Sequence, residues 1–189
     1  MKKLIFILIN LSLISCDRDN WRDQMEEENQ KVILQIKNDQ KQIELNRLNQ
    51  KDWNQSSKSK ELAIKNFLTE ISNTGKPTSY YVSWDEKMEV LFPNVLGYGT
   101  MLDSTPLTEY KKMLDIREEM AIKEIAKLIY EKKFQITSID WDDPKDYRNL
   151  KAYKPKSIQL KIDKNLYELK QIKMVFQTTT GYKVGVLAP

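Results

Sequence analysis

The sequence predicts an α+β domain carried behind an N-terminal signal and a helical tether, with its helices packed on a four-stranded antiparallel sheet. Three observations predict it. An apolar run near the start ends at the lone cysteine, Cys16, and a polar stretch without Gly or Pro then runs to Ser59. Beyond Lys60, segments of helical periodicity give way to segments that alternate with a period of two. The chain is therefore divided into residues 1–15, a signal peptide; 16–59, a polar helical tether; and 60–189, the α+β domain.

The first element is "MKKLIFILINLSLIS". Lys2 and Lys3 form a positive n-region, Leu4 to Ile14 an apolar h-region, and the small Ser15 precedes the cysteine. The apolar run is about half of the ~20 residues that a membrane-spanning helix needs, so it reads as a processed signal. Leu13, Ile14, Ser15 and Cys16 resemble the lipobox of bacterial lipoproteins. That resemblance implies a diacylglyceryl group on the Cys16 sulfur, cleavage just before it, and often a further acyl group such as palmitate on the new amino terminus. It implies a protein held in the bacterial cell membrane or the outer membrane, outside the cytoplasm. In enteric bacteria an aspartate at the position of Asp17 favours the inner membrane; the rule is not general, and both membranes stay open. Two or three acyl chains, each buried methylene contributing about 0.8 kcal/mol, anchor a protein almost irreversibly.

Processing changes the composition. Removing residues 1–15 takes away two lysines and no acid, so basic residues fall from 31 to 29 against 27 acids. That balance, with the expected location, excludes a nucleic-acid binder. A lipidated Cys16 leaves no thiol for a disulfide, a metal or nucleophilic chemistry.

The tether is read as helix because nothing breaks it. Trp21, Met25, Val32, Ile36 and Ile43 form one thin apolar stripe, interrupted where Asn29, Asp39 and Asn46 occupy positions that a coiled coil fills with leucine. The expectation is a solvated stalk; self-pairing, pairing with a partner, and disorder are the alternatives. "NQSSKSK" is the expected hinge. It contains an S-x-x-K at Ser57 and Lys60, but without the companion motifs of the serine acylases that use that pattern.

In the domain, Leu62, Ala63, Phe67 and Ile71 predict a helix that stops near Asn73–Gly75. Ser83 and Glu86 form a capping box for a short helix expected to end at Pro93. Thr105–Pro106 predicts a cap and first turn for a long helix to about Lys133. Its inner face is expected to carry Leu107, Tyr110, Leu114, Ala121, Ile125 and Leu128. Four strands then follow, in "FQITSIDW", in "SIQLKID", and in two segments that turn near Thr180–Gly181. This element order, with the closing "GYKVGVLAP", resembles the cystatin-like or nuclear-transport-factor-like cone. In that fold a curved sheet wraps a long helix, and the pocket between them binds small apolar ligands or houses varied enzymes.

Residues capable of chemistry are few. Without histidine there is no Ser-His-Asp or Cys-His arrangement, and no familiar phosphate-cradling glycine loop occurs. Asp140, Asp142, Asp143 and Asp146 cluster in "DWDDPKD", but Lys145 and Arg148 lie among them and the EF-hand pattern is missing, so a solvated hairpin loop is expected in place of a cation site. Tyr80, Tyr81 and Trp84 are the candidate ligand-binding aromatics. The functional expectation is a membrane-anchored envelope lipoprotein with a non-catalytic binding or scaffolding domain. Its partners would be the membrane, through acyl chains on Cys16, and an envelope protein; no cofactor and no metal are expected. The alternative is a small hydrolase or isomerase, which needs a carboxylate such as Glu109 or Asp140 buried beside a polar partner.

Overall fold

The computed structural model describes residues 20–49 and 51–189; the signal, the lipobox and Cys16 lie outside the described residues. Helix α1 (Asn20–Arg47) covers most of the expected tether. Its first turns stand in solvent, with Trp21, Met25 and Val32 about half exposed, whereas Ile43 is buried. From Gln35, whose side-chain amide donates to the Thr108 hydroxyl at 3.4 Å, onward α1 joins the domain. The polar residues that interrupt its apolar stripe make the joint: Asp39 Oδ2 accepts the backbone N–H of Leu107 at 2.8 Å and Asn46 Nδ2 donates to the Met88 carbonyl at 3.0 Å. Trp53 is buried as well, so packing begins upstream of the boundary expected at Lys60.

Helix α2 (Lys60–Thr74) is capped by the Ser59 hydroxyl, which accepts from Leu62 N–H, and ends at Gly75 in the left-handed region. Its inward face is wider than the spacing predicts. Ile64 and Leu68 are buried with Ala63, Phe67 and Ile71, while Leu62 faces outward. A helix wedged between a sheet and a second helix must present two apolar flanks.

Helix α3 (Trp84–Glu86) opens with the expected capping box at Ser83 and Glu86. It runs through a π-helical turn, Lys87–Leu91, into α4 (Phe92–Val95), so the ridge passes Pro93 where the sequence predicts a stop. The π turn moves the ladder to Phe92 N–H donating to the Lys87 carbonyl, and the proline without an N–H follows at that change of register. After a 3₁₀ turn at Met101–Asp103, helix α5 (Leu107–Ile129) starts one residue later than expected. Pro106 occupies the cap position without a side-chain bond, and Asp39 of α1 satisfies the free amide of Leu107 instead. The helix ends at Ile129, short of Lys133, where Glu131 takes a positive φ.

Seven strands follow: β1 (Phe134–Trp141), β2 (Lys145–Tyr147), β3 (Leu150–Tyr153), β4 (Pro155–Ile162), β5 (Asn165–Glu168), β6 (Ile172–Gln177) and β7 (Tyr182–Leu187). The fold is α+β, and both sheets are antiparallel. The four expected strands are β1, β4, β6 and β7. They do not share one sheet: β1-β4-β5 form one and β2-β3-β6-β7 the other. Only Lys154 separates β3 from β4, so one nearly continuous run of chain passes from sheet to sheet. The break in alternation at Thr137–Ser138 is a bulge of β1 against β4, which keeps Ile136 and Ile139 on the inner side.

The four-stranded sheet is covered on both faces. Val175 and Val184 join Phe67, Ile125, Ile158 and Leu160 in one apolar cluster under α2 and the C-terminal half of α5. Phe176, Leu150 and Ala152 join Ile43, Trp53, Leu91, Phe92 and Leu114 in a second cluster under the helical ridge.

Candidate functional site

The ridge from Trp84 to Val95 carries charge into the interior. Glu86, Lys87 and Lys183 are all almost completely buried. Lys183 points from β7 to the ridge side of the sheet, and its Nζ donates to both Glu86 carboxylate oxygens at 2.7 and 2.8 Å. The same carboxylate accepts the N–H of Ser83 and of Asn54, so one group closes the capping box, holds the 51–57 segment and neutralises a strand lysine. Lys87, the next residue, turns toward α5 and donates to both oxygens of Glu118 at 2.8 and 2.9 Å. It also lies 4.6 Å over the ring of Tyr81. Burial lowers the Lys87 pKa, and the Glu118 carboxylate opposes that only in part. Burial, reinforced by Glu118, pushes the Tyr81 hydroxyl well above its ordinary value. Because charges removed from water demand partners, these two pairs fix where the ridge sits.

On one side of the ridge is a polar cleft of about 480 Å³, lined by Arg47, Lys51, Asp52, Glu89, Asn94 and Asn149 among others. Asp52 organises its far wall. Its carboxylate accepts the hydroxyls of Thr178, Thr179 and Thr180 and the N–H of Trp53. Partial burial alone would raise the Asp52 pKa, but these four donors outweigh it and hold the carboxyl below its ordinary value. The 178–181 turn is held against residues 56–57: Ser57 and Tyr182 exchange backbone hydrogen bonds at 2.9 Å. A Cβ at Gly181 would meet the Ser57 carbonyl at 2.5 Å, so this contact admits only glycine.

On the other side is a largely apolar cavity of about 160 Å³, walled by Phe92, Tyr110, Tyr147, Met174 and Phe176, with Thr100 also in its lining. The β2–β3 turn separates cleft from cavity. The Arg148 guanidinium donates to the Pro93 carbonyl, and Asn149 N–H donates to Asn94 Oδ1.

The sequence-predicted residues lie elsewhere. Tyr80 packs on the first apolar cluster, Tyr81 tilts against Phe67, and Trp84 meets Phe92 edge-on beneath Lys111. None of the three lines the cleft or the cavity. Ser57 accepts from Asn66, while Lys60 lies over Trp141 and Tyr153, so the S-x-x-K residues do not meet. Asp140 accepts from Ser157, Asp142 pairs with Lys154, and Asp146 with Lys151. Both Glu109 and Asp140 are exposed. Among the described residues, no three acids or other ligating side chains gather as a metal site.

Sequence reading found Glu86 only as a helix cap and missed its pairing with Lys183, as well as Lys87, Asp52 and the threonine run. The one available signal was "DEK" set inside the aromatic and apolar run from Tyr80 to Phe92, where two consecutive charges of opposite sign have no solvated face to share. No protein-family model, no curated protein and no solved structure matches this chain, so the reading of the site rests on its own geometry.

Proposed function

We propose that this chain is a lipid-anchored bacterial envelope protein that presents a polar binding cleft at a set distance from the membrane. The observation that carries the reading is the order of its parts. A signal ends at "LISC", and α1 begins four residues after Cys16 and runs unbroken for 28 residues, about 42 Å, to the rim of the cleft. Asn46 and Arg47, at the end of that helix, are themselves cleft residues. A helix joined to the domain by Asp39, Gln40 and Asn46 is a strut, so an anchored Cys16 would set the height of the cleft. Among the described residues no helix is long and apolar enough to cross a membrane. The lining of amides, hydroxyls and both signs of charge suits a polar partner in the envelope, bound without chemistry.

Metabolic labelling with a fatty-acid analogue tests the anchor. The wild-type chain is expected to label and to sediment with membranes, and Cys16→Ala to lose both. Undiminished labelling of Cys16→Ala would end the reading.

A further inference from the structure

The cavity behind the ridge has the dimensions and chemistry of a ligand site. It holds about 160 Å³, close to the ~150 Å³ that suffices for benzene in an engineered protein cavity. Its walls are four aromatic rings, from Phe92, Tyr110, Tyr147 and Phe176, with the Met174 thioether and aliphatic side chains between them. The Thr100 hydroxyl is buried there at the cap of the Met101–Asp103 turn, facing the Asp103 N–H without a hydrogen bond of good geometry. A buried hydroxyl left unpaired is costly, and a well-packed protein seldom keeps one. The loop that presents Thr100 is firmly built: Asp103 accepts Gly97 N–H and Thr100 N–H, and Gln40 of α1 donates to the Asp103 carbonyl. Two glycines at positive φ, Gly97 and Gly99, allow the loop to curl over the cavity. The ridge wall contributes Leu91 and Phe92, where the π turn meets α4, and π-bulges are frequent at functional sites.

We propose that this cavity binds a small neutral aromatic molecule of the phenol class, its ring among the four aromatic side chains and its oxygen on the Thr100 hydroxyl. Neutrality follows from the lining, which holds no charged side chain to compensate an ion taken from water. Ring preference follows from the edge and face contacts that aromatic walls and a thioether offer. One polar contact follows from the Thr100 hydroxyl, the buried hydroxyl of the lining. The inference deepens the binding role proposed above, yet it needs neither the anchor nor the polar cleft.

The test uses the full chain in detergent micelles, with protein-free micelles subtracted, and ¹⁹F NMR of three probes: 4-fluorophenol, fluorobenzene and 4-fluorobenzoate. Saturable binding of 4-fluorophenol and none of 4-fluorobenzoate is expected. Thr100→Val, which keeps the shape and removes the hydroxyl, is expected to weaken 4-fluorophenol about tenfold and leave fluorobenzene unchanged. Val186→Phe, which fills the cavity, is expected to abolish both. The proposal is overturned if 4-fluorophenol does not saturate, if the benzoate binds equally well, or if Thr100→Val weakens both neutral probes alike. Fatty-acid labelling of Cys16 is unaffected by any of these outcomes, so the anchor and the ligand stand or fall separately.

Discussion

The two faces of the four-stranded sheet are closed in different ways. Under α2 and the C-terminal half of α5 the cover is apolar and complete: Phe67, Ile125, Ile158, Leu160, Val175 and Val184 expose nothing. Under the ridge the cover is aromatic and charged, with the Glu86–Lys183 and Lys87–Glu118 pairs, a π turn, and a void on each side. Close packing at the centre of the first face stabilises the domain, and the open grooves on that side lie at its margin, between α2 and β1. On the second face directional pairs hold the ridge in place, which allows cleft and cavity to persist beside it. The contrast is between a face closed by apolar packing and a face held by directional charged pairs.

The largest effects that sharpen this comparison come from breaking each face at its centre. Phe67→Ala is expected to lower stability by about 3–5 kcal/mol, through lost burial and the void left behind. Glu86→Ala is expected to cost about as much, because it strands the Lys183 ammonium in the interior. The faces then differ in rescue. Adding Lys183→Met to Glu86→Leu should recover the part of the loss due to the stranded ammonium and not the part due to the Ser83 and Asn54 N–H bonds, whereas no second change restores Phe67→Ala so simply. Urea melts of the single and double variants decide it; an unrescued double variant would show that the ridge pair does more than neutralise itself.

A smaller effect tests the joint between α1 and the second face. Asp39→Ala removes the carboxylate on Leu107 N–H and is expected to cost about 1 kcal/mol, the usual value of a helix cap. For a domain of this size that is roughly a 2–4 °C fall in melting temperature. Asp39→Asn, which still accepts the bond, should sit near wild type. If Asp39→Ala melts like wild type, α1 is a stalk and not a strut.

The smallest effect is a dependence on pH at the cleft. The Asp52 carboxyl is held below its ordinary value of 3.8 in the folded chain. Its contribution is therefore fully present above the unfolded value, at about pH 5 and higher, and is lost as pH falls through the folded one. The difference in melting temperature between wild type and Asp52→Asn should be constant near neutrality and shrink in acid. A difference that grows in acid would reverse the sign and remove Asp52 as an organiser of the cleft. Glu70 behaves in the same sense, since its carboxylate accepts the N–H groups of Thr78, Ser79 and Tyr80 and its pKa is also lowered despite partial burial.

Much of the architecture was legible before any coordinates. The Ser83–Glu86 capping box, the helix stop at Gly75 and the strands in "FQITSIDW" and "SIQLKID" all form as the residues imply. Each depends on partners within a few positions or on one strand meeting one core. Strands β2, β3 and β5 were not legible, being three or four residues long and made strands by what lies beside them. Pro93 misled for a related reason. A proline ends an isolated helix, yet here a π turn and the Arg148 guanidinium on its carbonyl carry the ridge past it.

By itself the sequence determined the α+β class, most helix limits to within a few residues, the pleat of the longer strands, and the motif at Cys16 on which the anchor is proposed. Tertiary structure alone decided that the strands divide into two sheets, that α1 braces the domain through Asp39, and that Glu86 meets Lys183. The physical reason is range. Caps and periodicities act between residues a turn or a pleat apart, so the chain carries them locally. Asp39 and Leu107 are 68 residues apart, Glu86 and Lys183 97, and Asp52 and Thr178 126. Such pairs exist only once sheet register and helix placement have brought them together, and the cleft and the cavity are made of them.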